Sequence, residues 1–140
     1  MTKAQLLFDS NIIYKLIREQ PQDAVEKLIQ GTTIYLAYYE LGNALWRECL
    51  LLKRISIEEA EKSLDLMYSI LESMQVTSLN NETGKEVLQI AYEFNLTFYD
   101  AAYIVEAKKS GKTLATDDVK LAKVAEKSGI KILSSKTLMQ

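Results

Sequence analysis

The sequence predicts an α/β fold, a three-layer α/β/α sandwich built on a parallel sheet of about five strands. Three observations carry that expectation. Short apolar runs alternate with longer amphipathic segments along the whole chain, the pattern of strands joined by crossover helices. The short runs are plainly apolar, as strands covered on both faces are. The 140 residues hold a single proline, Pro21, and five scattered glycines, so no linker divides them and residues 1–140 read as one domain.

Residues 5–8 form the first apolar run, which ends at Asp9-Ser10-Asn11, all good helix caps, ahead of Ile12, Ile13, Leu16 and Ile17 at helical spacing. Pro21 suits the first turn of a second helix, whose apolar residues Val25, Leu28 and Ile29 stop before Gly31. Residues 32–37 are β-branched and aromatic enough for a strand. Leu41, Ala44, Leu45 and Leu52 then follow helical spacing to about Lys53. Ser56 and Glu59 form a capping box before a helix with Ala60, Leu64, Met67 and Leu71 on one face. Residues 75–79 predict a short strand, and Val87, Ile90, Ala91 and Phe94 an amphipathic helix. Asp100 starts or caps the next helix, which carries Ala101, Ile104 and Val105 and ends at Gly111. Residues 113–115 predict a strand, Leu121, Val124 and Ala125 a helix ending near Gly129, and residues 130–133 the last strand.

Composition narrows the chemistry. There is no histidine, which excludes Ser-His-Asp and Cys-His catalytic units and His-based zinc or iron sites. The single cysteine, Cys49, excludes an internal disulfide and Cys-rich zinc modules. Catalysis must rest on carboxylates, hydroxyls, lysine or arginine. The net charge of −2 argues against a broad basic surface for duplex DNA, though it allows a local basic patch. No apolar run reaches about 18 residues, so no membrane span is expected. The N-terminal stretch turns acidic too early for a signal-peptide core, which makes a reducing cytoplasm the expected compartment.

In an open parallel sheet, ligands bind beyond the carboxyl ends of the strands. Asp9 follows the first predicted strand, Glu40 lies just past the second, and Asp117 and Asp118 follow the strand at 113–115. Asp100 opens the helix leading into that strand. Helix capping alone accounts for acidic residues at such positions. Two of them resist that account: Glu40 lies within the apolar stretch 36–45 and Asp100 within 96–104, segments otherwise fit for burial. Packed carboxylates repel unless something neutralises them, and all-oxygen sites select Mg²⁺ or Mn²⁺.

Phe8-Asp9-Ser10-Asn11, Tyr39-Glu40-Leu41, Tyr99-Asp100-Ala101-Ala102-Tyr103 and Leu114-Ala115-Thr116-Asp117-Asp118 resemble, in order and spacing, the four acidic motifs of PIN-domain ribonucleases. The likeness is nearest to the small single-domain toxins of VapC type, and it covers the whole chain. It implies that Asp9, Glu40 and Asp100 are the first three acidic residues of a metal-dependent nuclease site. The family pattern Thr-any-Asp selects Asp118 as the fourth, with Asp117 an adjacent acid that assists or caps. Ser10 and Thr116 match the hydroxyls that orient the carboxylates or the water. The resemblance further implies an RNA substrate, Mg²⁺ or Mn²⁺, homodimerisation, and inhibition by a small antitoxin protein. Hydrolysis by water activated on the metal leaves a 5′-phosphate and needs no 2′-hydroxyl.

Other features have plainer readings. Tyr38, Tyr39, Tyr99 and Tyr103 suit either base stacking or the core, with the core favoured. Lys108, Lys109, Lys112, Lys120, Lys123 and Lys127 suit phosphate contact or, more simply, a solvated helix face. Trp46 and Cys49 read as packing residues, and the Leu-, Ile- and Met-rich segment 56–73 offers a face to another subunit. Three other functions fit the residues less well. A receiver-type phospho-acceptor domain needs an acidic pair after the first strand and a lysine after the last, whereas Asp9 is single and Leu133 leads to Ser134. An inactive RNA-binding scaffold of the same fold is opposed by the complete acidic set. Dinucleotide binding lacks its Gly-x-Gly-x-x-Gly.

Overall fold

The first strand, β1 (Leu6–Phe8), is the middle strand of the sheet. In the computed structural model, which describes residues 5–140, it runs parallel to β2 (Thr32–Ile34) on one side and β4 (Thr113–Ala115) on the other. β3 (Gln75–Thr77) and β5 (Ile132–Leu133) flank these, giving the all-parallel order β3-β2-β1-β4-β5. Residues 1–4, on which the expectation about a signal-peptide core partly rests, lie outside the described residues.

Side chains alternate across the sheet as the two-residue period requires. Leu6, Phe8 and Ala115 face one core, shared with α1 (Ser10–Glu19), α2 (Pro21–Leu28), α3 (Leu36–Trp46) and α4 (Ile57–Ser73). Leu7, Ile34 and Leu114 face the other, shared with α5 (Asn81–Phe94), α6 (Phe98–Ser110) and α7 (Val119–Lys127). These are the three layers expected. Gly31 is needed where the chain enters β2, because a Cβ there would stand 2.2 Å from the Phe8 ring.

The chain departs from the expected boundaries in a few places. β2 ends at Ile34 instead of residue 37, because Ala37, Leu41 and Leu45 form one buried stripe of α3 and draw Leu36 and Ala37 into its first turn. β3 then stops at Thr77 instead of residue 79, since Thr77 is opposite Ile34 and nothing lies beyond it to pair with. α3 does not run to Lys53. It passes into a π-helical turn, Arg47–Leu51, and Lys53 reverses the chain at a φ of 53°. β5 holds only two residues, and a short helix unforeseen in the sequence, α8 (Ser135–Leu138), follows it. α6 begins at Phe98, capped by Thr97, so Asp100 is its third residue and not its cap. Its end is as expected, with Gly111 in the left-handed region at φ 67°.

Candidate active site

The strand order reverses between β1 and β4, the point where open parallel sheets bind ligands beyond the carboxyl ends of their strands. The residue after β1 is Asp9 and the residues after β4 are Thr116, Asp117 and Asp118. The fold therefore brings together groups more than a hundred residues apart, with α3 contributing Glu40 and α6 contributing Asp100.

Asp9 is only 4% exposed. It caps α1, its Oδ1 accepting from the Ile12 N–H at 2.9 Å, and its own N–H donates to the Ala115 carbonyl at 3.1 Å. Burial pushes its carboxyl up to about 6; hydrogen bonds from the buried Thr116 hydroxyl and Ile12 restrain the rise, and Glu40 and Asp117 add to it. Glu40 is partly buried one turn into α3. Its Oε1 accepts from the Tyr103 hydroxyl at 2.8 Å. Burial raises its carboxyl too; the Tyr103 and Ser10 hydroxyls oppose the rise and the Asp100 charge augments it. Asp100 is also raised, by burial first and then by Asp118, while Thr97 and Lys120 act the other way. Mutual repulsion is thus the lesser cause of these shifts, and loss of water around the carboxylates is the greater.

Each pair that feels the other's charge shares a member with the next, so Asp9, Glu40, Asp100 and Asp118 form one electrostatic chain. Asp118 caps α7, its Oδ1 accepting from the Leu121 N–H at 3.0 Å, and its N–H donates to Thr116 Oγ1 at 3.0 Å. Asp117 turns elsewhere. It accepts from the backbone N–H and the hydroxyl of Ser135, fastening the start of α8, and lies 3.7 Å from the Lys15 ammonium. Burial raises its carboxyl, but the Ser135 bonds and Lys15 outweigh that and hold it below the ordinary value.

Ser10, buried as the first residue of α1, belongs to the hydrogen-bonded group of Glu40 and Tyr103. Tyr103 is 2% exposed and so unavailable for stacking, and Tyr38 packs against Tyr35 and Tyr68. Tyr39 and Tyr99 are exposed instead, on the rim of an open basin of ≈ 550 Å³ whose floor includes Ser10 and Glu40. Arg47 also lines this basin and was not singled out from the sequence. The signal was present, because seven residues from Glu40 return to the same helix face. Trp46, expected to be packed, is 47% exposed along an apolar groove between α3 and α4.

The donor set consists of carboxylate and hydroxyl oxygens, the chemistry of a hard divalent cation. Among the described residues no three acids form a ready-made cage. A cation there would take one or two carboxylates directly and complete its shell with water. Among the described residues no helix is long and apolar enough to cross a membrane.

Comparison with known proteins gives a consistent family. A model described as the PIN domain matches residues 6–127. Exonuclease VapC9 of Pyrobaculum aerophilum is 41% identical over 88 residues, which cover 63% of this chain and 62% of that protein's length. Ribonuclease VapC3 of the same organism is 34% identical over 106 residues, 74% of this chain and 78% of the relative. Among solved structures, PAE2754 from Pyrobaculum aerophilum superposes with a TM-score of 0.78 at 30% identity, covering 96% of this chain and 93% of that one. A DNA-bound VapBC from Salmonella typhimurium shares the fold at a TM-score of 0.69 and 15% identity, covering 94% of this chain and 98% of that one.

Proposed function

Because the chain belongs to the PIN domain family, we propose that it is a divalent-metal-dependent endoribonuclease, the toxin of a cytoplasmic toxin–antitoxin pair. The observation that carries this reading is the electrostatic chain of Asp9, Glu40, Asp100 and Asp118, three of them with raised carboxyls, with Glu40 lining an open basin. The names of the relatives support a nuclease, and that of Ribonuclease VapC3 supports action on RNA.

Asp9, Asp100 and Asp118 would hold Mg²⁺ or Mn²⁺, with Glu40 completing the set. Bound there, the cation supplies Lewis-acid stabilisation of charge on the phosphate and lowers the pKa of water. The remaining work falls to the protein. Thr116 fixes the buried Asp9, and its Oγ1 also accepts from the Asp118 N–H, so one hydroxyl sets two acids. Tyr103 and Ser10 hold Glu40 in place, leaving it to orient a water for in-line attack. Arg47 meets the phosphate chain along the basin. Asp117, committed to Ser135 and Lys15, takes no direct part. An antitoxin and a second copy of the chain are the expected partners, and the apolar groove between α3 and α4 is a surface open to one of them.

The test is cleavage of a closed circular single-stranded RNA. With Mg²⁺ or Mn²⁺ the circle should open, stop opening in EDTA, and give ends with a 5′-phosphate and no 2′,3′-cyclic phosphate. A circle left intact while its linear form is shortened would replace the endonuclease by an exonuclease, the activity in the VapC9 relative's name. Cleavage in EDTA, or cyclic-phosphate ends, would overturn the metal-dependent route. Absence of cleavage of every RNA form would favour the inactive scaffold.

A further inference from the structure

Next to the basin lies a second cavity, of ≈ 240 Å³, between the carboxyl ends of β2 and β3 and the start of α6. The two share Leu36 and Tyr99 as a common wall, and Tyr99 directly precedes Asp100. Three aromatic rings line this cavity, Tyr35, Phe98 and Tyr99, each more than a third exposed. Its shape is held by backbone structure, since the Tyr35 N–H donates to the Thr77 carbonyl at 2.9 Å and Thr97 caps the first turn of α6. The lining is largely apolar and aromatic, with the hydroxyl-bearing Ser78 and Thr83 and one acid, Glu106. Glu106 stands two turns along α6 from Tyr99 and is partly buried. Its carboxylate has no hydrogen-bond or ion-pair partner among the described residues, although Lys109 nearby on the same helix is paired with Glu86.

Aromatic walls next to a phosphodiester site are surfaces for an unstacked base. A lone carboxylate with two acceptor oxygens selects among bases. Guanine presents two adjacent donors on its Watson–Crick edge, N1–H and the N2 amino group. Adenine and cytosine each place a ring-nitrogen acceptor beside their single amino group, and uracil flanks its N3–H with two carbonyls. We propose that this cavity is a subsite for one guanine of the RNA strand, flipped between the aromatic rings and held by Glu106, next to the phosphate that is cut. The inference rests on the ribonuclease reading and adds a base specificity to it.

Two measurements on the full chain test it separately from that reading. In the first, ¹⁵N-labelled protein is titrated with the 5′-monophosphates of guanosine, adenosine, cytidine and uridine. Guanosine monophosphate should shift the amides of Ser78, Thr83 and Glu106 and bind at least tenfold more tightly than the other three. Glu106→Gln should bring the four within about twofold, while Tyr35→Ala should weaken all four together by about tenfold. Equal binding by all four, or a preference that survives Glu106→Gln, would overturn the subsite. In the second, cut sites are mapped in a randomised single-stranded RNA. A guanine at one fixed position beside the cut, lost in Glu106→Gln, is the expected result. Cleavage without that bias would remove the subsite and leave the nuclease standing. Selective guanosine monophosphate binding without cleavage of any RNA would remove the nuclease and leave a guanine site.

Discussion

Asp9 carries opposed demands at a single residue. As a cap it satisfies a helix N–H, and as a buried acid it resists ionisation, so its carboxyl rises from the ordinary 3.8 to about 6. The linkage has a definite sign. A raised carboxyl favours folding while it is protonated, and that contribution is present in full below about pH 4 and lost as pH rises through about 6. Without divalent cation, the wild type should lose about 2 kcal/mol from this group between pH 4 and pH 7.5. Asp9→Asn keeps a capping side chain and removes the titration, so it should be the more stable protein at pH 7.5. Urea unfolding at the two pH values checks this, and parallel pH dependence in both proteins would refute it. The four acids were legible in the sequence because each lies beside an identifiable strand or helix start. The Tyr103–Glu40 bond was not, because its members are 63 residues apart and the tyrosine reads as core from its apolar neighbours.

At the scale of an element, α7 shows how structure and site share one side chain. Asp118 caps the helix through Oδ1, which leaves its other oxygen for a ligand. Asp118→Asn should keep the cap and abolish cleavage, whereas Asp118→Ala should abolish cleavage and also cost about 1 kcal/mol of stability. Urea unfolding beside an RNA cleavage assay separates the two roles, and full activity in the Asn variant would reassign the fourth acid. Elements with punctuated ends could be bounded from sequence: Pro21 starts α2, the Ser56–Glu59 box starts α4, and Gly111 ends α6. The end of β2 could not, because Ile34-Tyr35-Leu36-Ala37 runs from strand to helix with no breaker, and packing against the sheet decides where the turn falls. α8 is too short for any periodicity, and the Asp117–Ser135 bonds that secure its start are contacts between distant parts of the chain.

For the whole molecule, the acids and the cation should be linked through stability. A ligand that binds only the folded chain stabilises it by about 2.7 kcal/mol at a hundred times its Kd. Saturating Mg²⁺ at pH 7.5 should therefore raise Tm by roughly 5–10 °C for a chain of this size. The rise should shrink at pH 5, where Asp9 is mostly protonated, and vanish in Asp9→Asn. An equal rise in Asp9→Asn would place the cation elsewhere. The same sheet that gathers the acids also governs when they can meet. β1 is flanked by β2 and β4, and Phe8 lies opposite Ala115. A chain still emerging from the ribosome presents Asp9 and Glu40 long before Thr116 and Asp118 have been translated. Until β4 inserts beside β1, Asp9 has no Thr116 hydroxyl to hold it and no Asp118 near it. The four acids can therefore come together only after Asp118 has been synthesised and β4 has folded beside β1.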